Sequence, residues 1–171
     1  MIVAGFDLAT TTGCAVFDGD SLVRCSAFRP EGDNDAEIFT GFRAWFRGLI
    51  RHYGIEHIGI EQALVTDIRS KKTDRNPVTY RTYLRLYGMR GIAIQSAHGL
   101  GVPVTEVNQA TWRKTFTGNG RATKDDTLEL VRAKYAPDIN SKDAAEAVGV
   151  AVHLKTVLNR VSETSEEGDA A

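Results

Sequence analysis

Four acidic residues stand where their chemistry could converge. Asp7 closes the apolar run Ile2-Val3-Ala4-Gly5-Phe6, Glu61 closes His57-Ile58-Gly59-Ile60, and Asp143 and Glu146 lie three apart in a late stretch of helical composition. A carboxylate at the end of an apolar strand is costly to desolvate unless a cation meets it. Near-continuous apolar runs belong inside a sheet covered on both faces. If these two strands are neighbours, Asp7 and Glu61 leave the sheet at one edge, beyond which ligands of open α/β sheets bind. Residues i and i+3 share a helix face, so Asp143 and Glu146 can be aimed at that same edge. Four hard oxygen donors suit Mg²⁺ or Mn²⁺ rather than zinc. Taken singly, Asp143 also reads as an N-terminal charge on a helix capped by Asn140, and Glu146 as a solvated helix position.

A basic segment follows Glu61. Between Thr66 and Arg90 there are seven basic residues (Arg69, Lys71, Lys72, Arg75, Arg81, Arg85, Arg90) and two acidic ones (Asp67, Asp74), in a chain whose formal net charge is −1. Tyr80, Tyr83 and Tyr87 are interleaved among the arginines, a mixture that suits phosphate contact and base stacking. The same tyrosines, continued by Ile94, also fit an amphipathic helix stripe. The loop over 67–76 carries one apolar residue, Ile68, and reads as mobile until a polyanion orders it.

These side chains must be positioned by a mixed α/β framework. Apolar patterning predicts strands over 2–7, 14–18, 22–28, 57–61 and 102–107, and helices over 35–52, 77–98, 109–116, 123–135 and 141–159. Asp18-Gly19-Asp20 is a hairpin signal, so the first three strands form an antiparallel meander. Ile38, Phe39, Phe42, Trp45, Phe46, Leu49 and Ile50 form one helical stripe that must pack on the sheet. A length of 171 residues with 42% hydrophobic residues supports a core without disulfides, and Cys14 and Cys25 lack metal-site spacing. One domain is expected over 1–160, with an acidic, disordered tail over 161–171. Lacking a basic, apolar leader or a membrane-length apolar run, the chain reads as soluble and cytoplasmic, from a bacterial or phage-infected cell.

Three antiparallel strands, then alternating helices and strands with acids on strand one, strand four and the last helix, resemble the ribonuclease H-like fold. Such a fold would be a five-stranded mixed sheet, with parallel strands added to the meander and helices flanking it. Within that fold the chain resembles the RuvC family of Holliday junction resolvases over about 2–153. The resemblance is carried by Gly5-Phe6-Asp7 with Gly13, Ile60-Glu61-Gln62, Arg90-Gly91-Ile92-Ala93-Ile94, Pro103-Val104-Thr105-Glu106, Gly118-Asn119-Gly120-Arg121-Ala122-Thr123-Lys124, and Asp143-Ala144-Ala145-Glu146-Ala147. Three departures stand out: Leu8-Ala9 in place of Pro-Gly, Glu146 where aspartate is commoner, and a longer basic segment after Glu61. They suggest a divergent or phage-type member.

The resemblance implies that Asp7, Glu61, Asp143 and Glu146 hold metal and that Lys124 assists near the scissile phosphate. Arg113 falls at a DNA-contacting position. With Arg69, Lys71, Lys72, Arg75, Tyr80, Arg81 and Lys124 it makes up the expected DNA surface. The expected activity is resolution of four-way junctions by a homodimer, through paired symmetric nicks that leave 5′-phosphate and 3′-hydroxyl ends. Two Mg²⁺ ions, replaceable by Mn²⁺, would serve it. Lys124 also reads as a lysine at a helix start; Gly118-x-Gly120 reads as a phosphate-approaching loop or equally as a plain turn, and His153, seven residues after Glu146, as a residue beside the metal site or more readily as an ordinary helix residue. Three other functions are kept: a broader flap or fork nuclease, a junction-binding module without catalysis, and a single-lobe ATP-binding protein suggested by the loop over 5–13.

Overall fold

The computed structural model describes residues 1–62 and 80–168, with side chains through Ser162. Its five strands are β1 (Ile2–Asp7), β2 (Thr12–Asp18), β3 (Ser21–Phe28), β4 (His57–Glu61) and β5 (Val104–Val107). They form one sheet in the order β3-β2-β1-β4-β5. β1–β2 and β2–β3 pair antiparallel, while β4 runs parallel to β1 and β5 parallel to β4. This is the expected mixed sheet, with the meander on one side and the parallel additions on the other. Phe6 pairs with Ile60, so Asp7 and Glu61 both leave the sheet at the edge where β1 and β4 end.

Among the described residues five helices cover the sheet: α1 (Asp35–Tyr53), α2 (Tyr80–His98), α3 (Gln109–Thr117), α4 (Lys124–Lys134) and α5 (Lys142–Gly168). The predicted stripe of α1 holds in part: Ile38, Phe42, Phe46, Leu49 and Ile50 are buried, whereas Phe39 and Trp45 are half-buried at the margin. Together with Met89, Ala93 and Ala97 of α2 they pack against Ala4, Phe6, Ile58 and Ile60. On the opposite face α5, backed by α3 and α4, packs Ala147, Val150, Ala151 and Leu154 against Val3, Ala15 and Phe17.

Local signals set the helix ends. The Asn34 side chain accepts from the Glu37 N–H to start α1, and Gly54, at φ 64°, closes it in the left-handed region that glycine enters at least cost. Thr123 and Asp126 form a reciprocal capping box that starts α4, which fixes Lys124 as its first residue.

Two expectations change. α5 starts with Ser141 Oγ accepting from the Ala144 N–H at 3.2 Å, whereas the Asn140 side chain accepts from Arg132 at 2.7 Å, so Asn140 is not the cap. α5 also runs to Gly168, well past the predicted end, so residues 161–168 are helical rather than a disordered tail. A polar, glutamate-containing stretch can extend a helix already nucleated by packing, since glutamate is a good helix former. The loop over 67–76 and the first residues of the helix predicted from 77 lie outside the described residues.

Candidate active site

Strand register, helix packing and one capped helix bring the four predicted carboxylates and Lys124 to one sheet edge. Asp7 ends β1 and Glu61 ends β4. α5 crosses over β1 and β2 so closely that a Cβ at Gly13 would lie 1.9 Å from the Asp143 carbonyl oxygen, and one at Gly5 would lie 2.3 Å from that of Ala147. Only glycine permits this approach, and it carries the first turn of α5, with Asp143 and Glu146, up to Asp7. Ligand atoms of Asp7, Asp143 and Glu146 lie within 4.8 Å of one another.

The three carboxylates surround the Lys124 ammonium. Its Nζ lies 2.9 Å from Asp143 Oδ1 and 3.5 Å from Asp7 Oδ2, and it donates to Glu146 Oε2. Arg113 Nη2 pairs with the other oxygen of Glu146, a side chain only 1% exposed. The guanidinium of Arg113 sits 5.3 Å over the Trp112 ring. Glu61 lies outside the close trio. Its carboxylate accepts from Gln109 Nε2 at 2.9 Å and from the Trp112 indole N–H at 2.8 Å.

The electrostatics follow from packing so much negative charge in a dry place. Burial, then the charge of Glu61, raises Asp7 well above the usual carboxylate range, against the opposing pull of Lys124. Glu61 is raised too, mainly by burial, with the Trp112 hydrogen bond working the other way. For Lys124 burial favours the neutral amine, but Asp7 and the hydrogen bonds to Glu146 and Asp143 outweigh it and hold the ammonium above its ordinary range. Asp7 Oδ2 is buried without a hydrogen bond. An anionic oxygen left in that state is costly unless a further cation completes its surroundings.

The other expected residues divide clearly. Lys124 is the first residue of α4 and the cation among the carboxylates. Arg113 faces the acidic cluster. Tyr80 is 67% exposed at the start of α2. Arg81 and Arg85 both meet Asp35, at 3.7 and 2.7 Å, and Arg90 pairs with Glu106. Much of the described part of the basic segment is therefore already paired. Arg69, Lys71, Lys72 and Arg75 lie outside the described residues. Gly118 caps α3 at φ 81°, so the GxG segment forms the turn that leaves this helix. His153 Nδ1 is 2.9 Å from Thr115 Oγ1, as an ordinary interhelical contact. Sequence reading missed Gln109 and Trp112 as the holders of Glu61. Their one signal is position, since a donor-bearing pair three apart opens the helix just after β5 reaches the same edge.

No family model matches the chain. Among curated proteins it is similar to the crossover junction endodeoxyribonuclease RuvC of Paraburkholderia phymatum, 33% identical over 122 residues, covering 69% of this chain and 62% of the relative. The protein of that name from Trichlorobacter lovleyi is 31% identical over 124 residues, covering 70% and 64%. The chain thus spans less than two thirds of the length of these relatives. Among solved structures, Thermus thermophilus RuvC in complex with Holliday junction substrate matches with a TM-score of 0.73 at 18% identity, over 90% of this chain and 92% of that one. The fowlpox virus resolvase in complex with Holliday junction DNA matches with a TM-score of 0.55 at 14% identity, over 92% and 99%. At these identities the structural matches speak for the fold.

Proposed function

Since the chain belongs to the RuvC family of crossover junction endodeoxyribonucleases, we propose that it is a metal-dependent, structure-selective DNA endonuclease that resolves four-way junctions. The observation that carries this reading is the buried Asp7 Oδ2, left without a hydrogen bond among carboxylates whose ligand atoms lie within 4.8 Å of one another. That donor set fits hard divalent cations such as Mg²⁺ or Mn²⁺. Asp7, Asp143 and Glu146 would hold them, with Glu61 beside Asp7. Bound there, such ions would supply activation of a water and charge stabilisation at the leaving 3′ oxygen of a phosphodiester, chemistry that would end in 5′-phosphate and 3′-hydroxyl termini.

The chain's own groups do the rest. Lys124 keeps its proton and brings a fixed positive charge to the trio, where it can neutralise charge building on a phosphate oxygen. Arg113, stacked on Trp112, holds Glu146 in place and adds a second fixed cation. Gln109 and Trp112 each donate to one oxygen of Glu61 and so set its orientation. In this reading Arg69, Lys71, Lys72, Arg75, Tyr80 and Arg81 supply DNA contacts beyond the cut. A two-fold symmetric homodimer would present each site to an equivalent strand of the junction.

The deciding experiment incubates the protein with four-way, three-way, flap and linear duplex DNA in Mg²⁺, Mn²⁺ or EDTA. The expected result is two nicks at symmetry-related positions of a mobile four-way junction, ligatable products, and no cleavage in EDTA. Scattered nicks on linear duplex at the same rate, or a monomer in sedimentation with and without DNA, would leave a structure-tolerant nuclease in place of a resolvase.

A narrower test concerns Glu61. Trp112→Phe keeps most of the ring packing but deletes one of its two donors. Loss of such a ligand-orienting hydrogen bond typically costs roughly 10–100-fold in metal affinity or activity. The Mg²⁺ concentration that half-saturates cleavage should rise by that amount, with overall fold checked by circular dichroism. An unchanged half-saturation point would mean that Glu61 needs no such orienting.

A further inference from the structure

A second positively charged surface lies on the far side of α3 from the carboxylates. Lys114 of α3, Arg121 in the turn after it and Arg160 of α5 line one groove of about 960 Å³ with Thr111, Asn119 and Gly120. No carboxylate lines it among the described residues. All three cations are exposed. The groove shares its walls with the active site. α3 sends Arg113 to Glu146 and the next residue, Lys114, into the groove. The turn that carries Arg121 ends at Lys124, among the carboxylates. α5 carries Glu146 at one end and Arg160 fourteen residues further on.

At a rise of ~1.5 Å per residue that last separation is about 21 Å, the length of about six base pairs at ~3.4 Å each. We propose that this groove binds the phosphate backbone of a double-stranded arm of the DNA, up to about six base pairs from the scissile phosphate. The proposal rests on the nuclease reading above and deepens it. Lys114, Arg121 and Arg160 bind phosphates and fix the path of the duplex as it leaves the carboxylates, with Thr111 and Asn119 as neutral hydrogen-bonding partners. Such interactions position DNA and carry no base preference. They therefore serve any sequence that the active site cuts.

The test is the salt dependence of binding to a four-way junction, with EDTA present so that no cleavage consumes the probe. Lys114→Gln, Arg121→Gln and Arg160→Gln are made singly and together, and thermal melting checks that each folds. Removing one phosphate-neutralising charge flattens the slope of log K against log salt by ~0.9, so the triple variant should fall by up to about 2.7, and by no less than ~0.9. Junctions with arms cut below about six base pairs should remove the difference between variant and wild type, because the arm then ends before the groove. If wild-type protein binds junctions with a steep slope and the triple variant keeps it, the groove is overturned and the nuclease reading stands. Failure of the wild type to bind junctions at any salt concentration overturns both. Should the triple variant not fold, the single variants decide, each by the presence or absence of a slope change of ~0.9.

Discussion

Asp7→Asn is expected to abolish cleavage of a four-way junction while leaving binding of that junction intact or tighter. The substitution keeps the volume of the side chain and removes its charge, at the residue whose Oδ2 is buried without a hydrogen bond and whose carboxyl is raised first by burial and then by the charge of Glu61. Loss of a metal-holding carboxylate should cost at least about a thousandfold in rate, or about 4 kcal/mol of transition-state stabilisation. Binding should not suffer, because one negative charge facing phosphate has gone. Cleavage within about tenfold of wild type, in protein free of contaminating nuclease, would be incompatible with Asp7 as a metal holder. A second measurement needs no DNA. At a concentration of about 100 times its dissociation constant, Mg²⁺ should stabilise the wild type by about 2.7 kcal/mol, a rise of roughly 5–10 °C in Tm for a chain of this size. The Asp7→Asn variant should lose most of that rise.

The parts of this site that could be read from the chain are those written in local pattern. Apolar runs ending in Asp7 and Glu61 locate two strand ends, and once β1 and β4 pair in parallel with Phe6 beside Ile60, the two acids must emerge together. A spacing of three puts Asp143 and Glu146 on one helix face. The remainder depends on contacts between residues far apart in sequence. Only its position just after β5 hints that the Trp112 indole reaches Glu61, 51 residues earlier, and nothing indicates that Arg113 is spent on Glu146. The basic segment looked uniform as a string of charges, yet the fold brings Asp35 to Arg81 and Arg85, and Glu106 to Arg90. Composition read the end of α5 as tail. A helix held along the sheet by Ala147, Val150, Ala151 and Leu154 propagates at little further cost into such residues.

Two glycines did more than their place in the motif suggested. Gly5 and Gly13 face the same helix, and a Cβ on Gly13 would meet the backbone of Asp143 at 1.9 Å and 2.4 Å rather than a side chain that could swing aside. Gly13→Ala therefore has to push the first turn of α5 away from β2 by about 1.5 Å to restore ordinary contact. Overpacking of this kind costs about 3 kcal/mol, at the upper end of its usual range because backbone must move, and the Tm should fall by roughly 10 °C. The site should suffer more than the fold. Asp143 and Glu146 ride on that turn, and a displacement of ~1 Å in a reacting constellation can cost roughly a hundredfold in rate. Measured well below its melting temperature, Gly13→Ala is thus expected to be folded by circular dichroism, to bind junctions, and to cleave them about a hundredfold more slowly. Gly48→Ala provides the control: it lies within α1 with nothing within 4 Å of the added carbon, and alanine there should stabilise the helix by about 0.5–1 kcal/mol without touching the site. A Gly13→Ala protein that melts with the wild type and cuts at its rate would mean that α5 can be shifted without moving the carboxylates. The close approach of helix to strand would then have no part in assembling them.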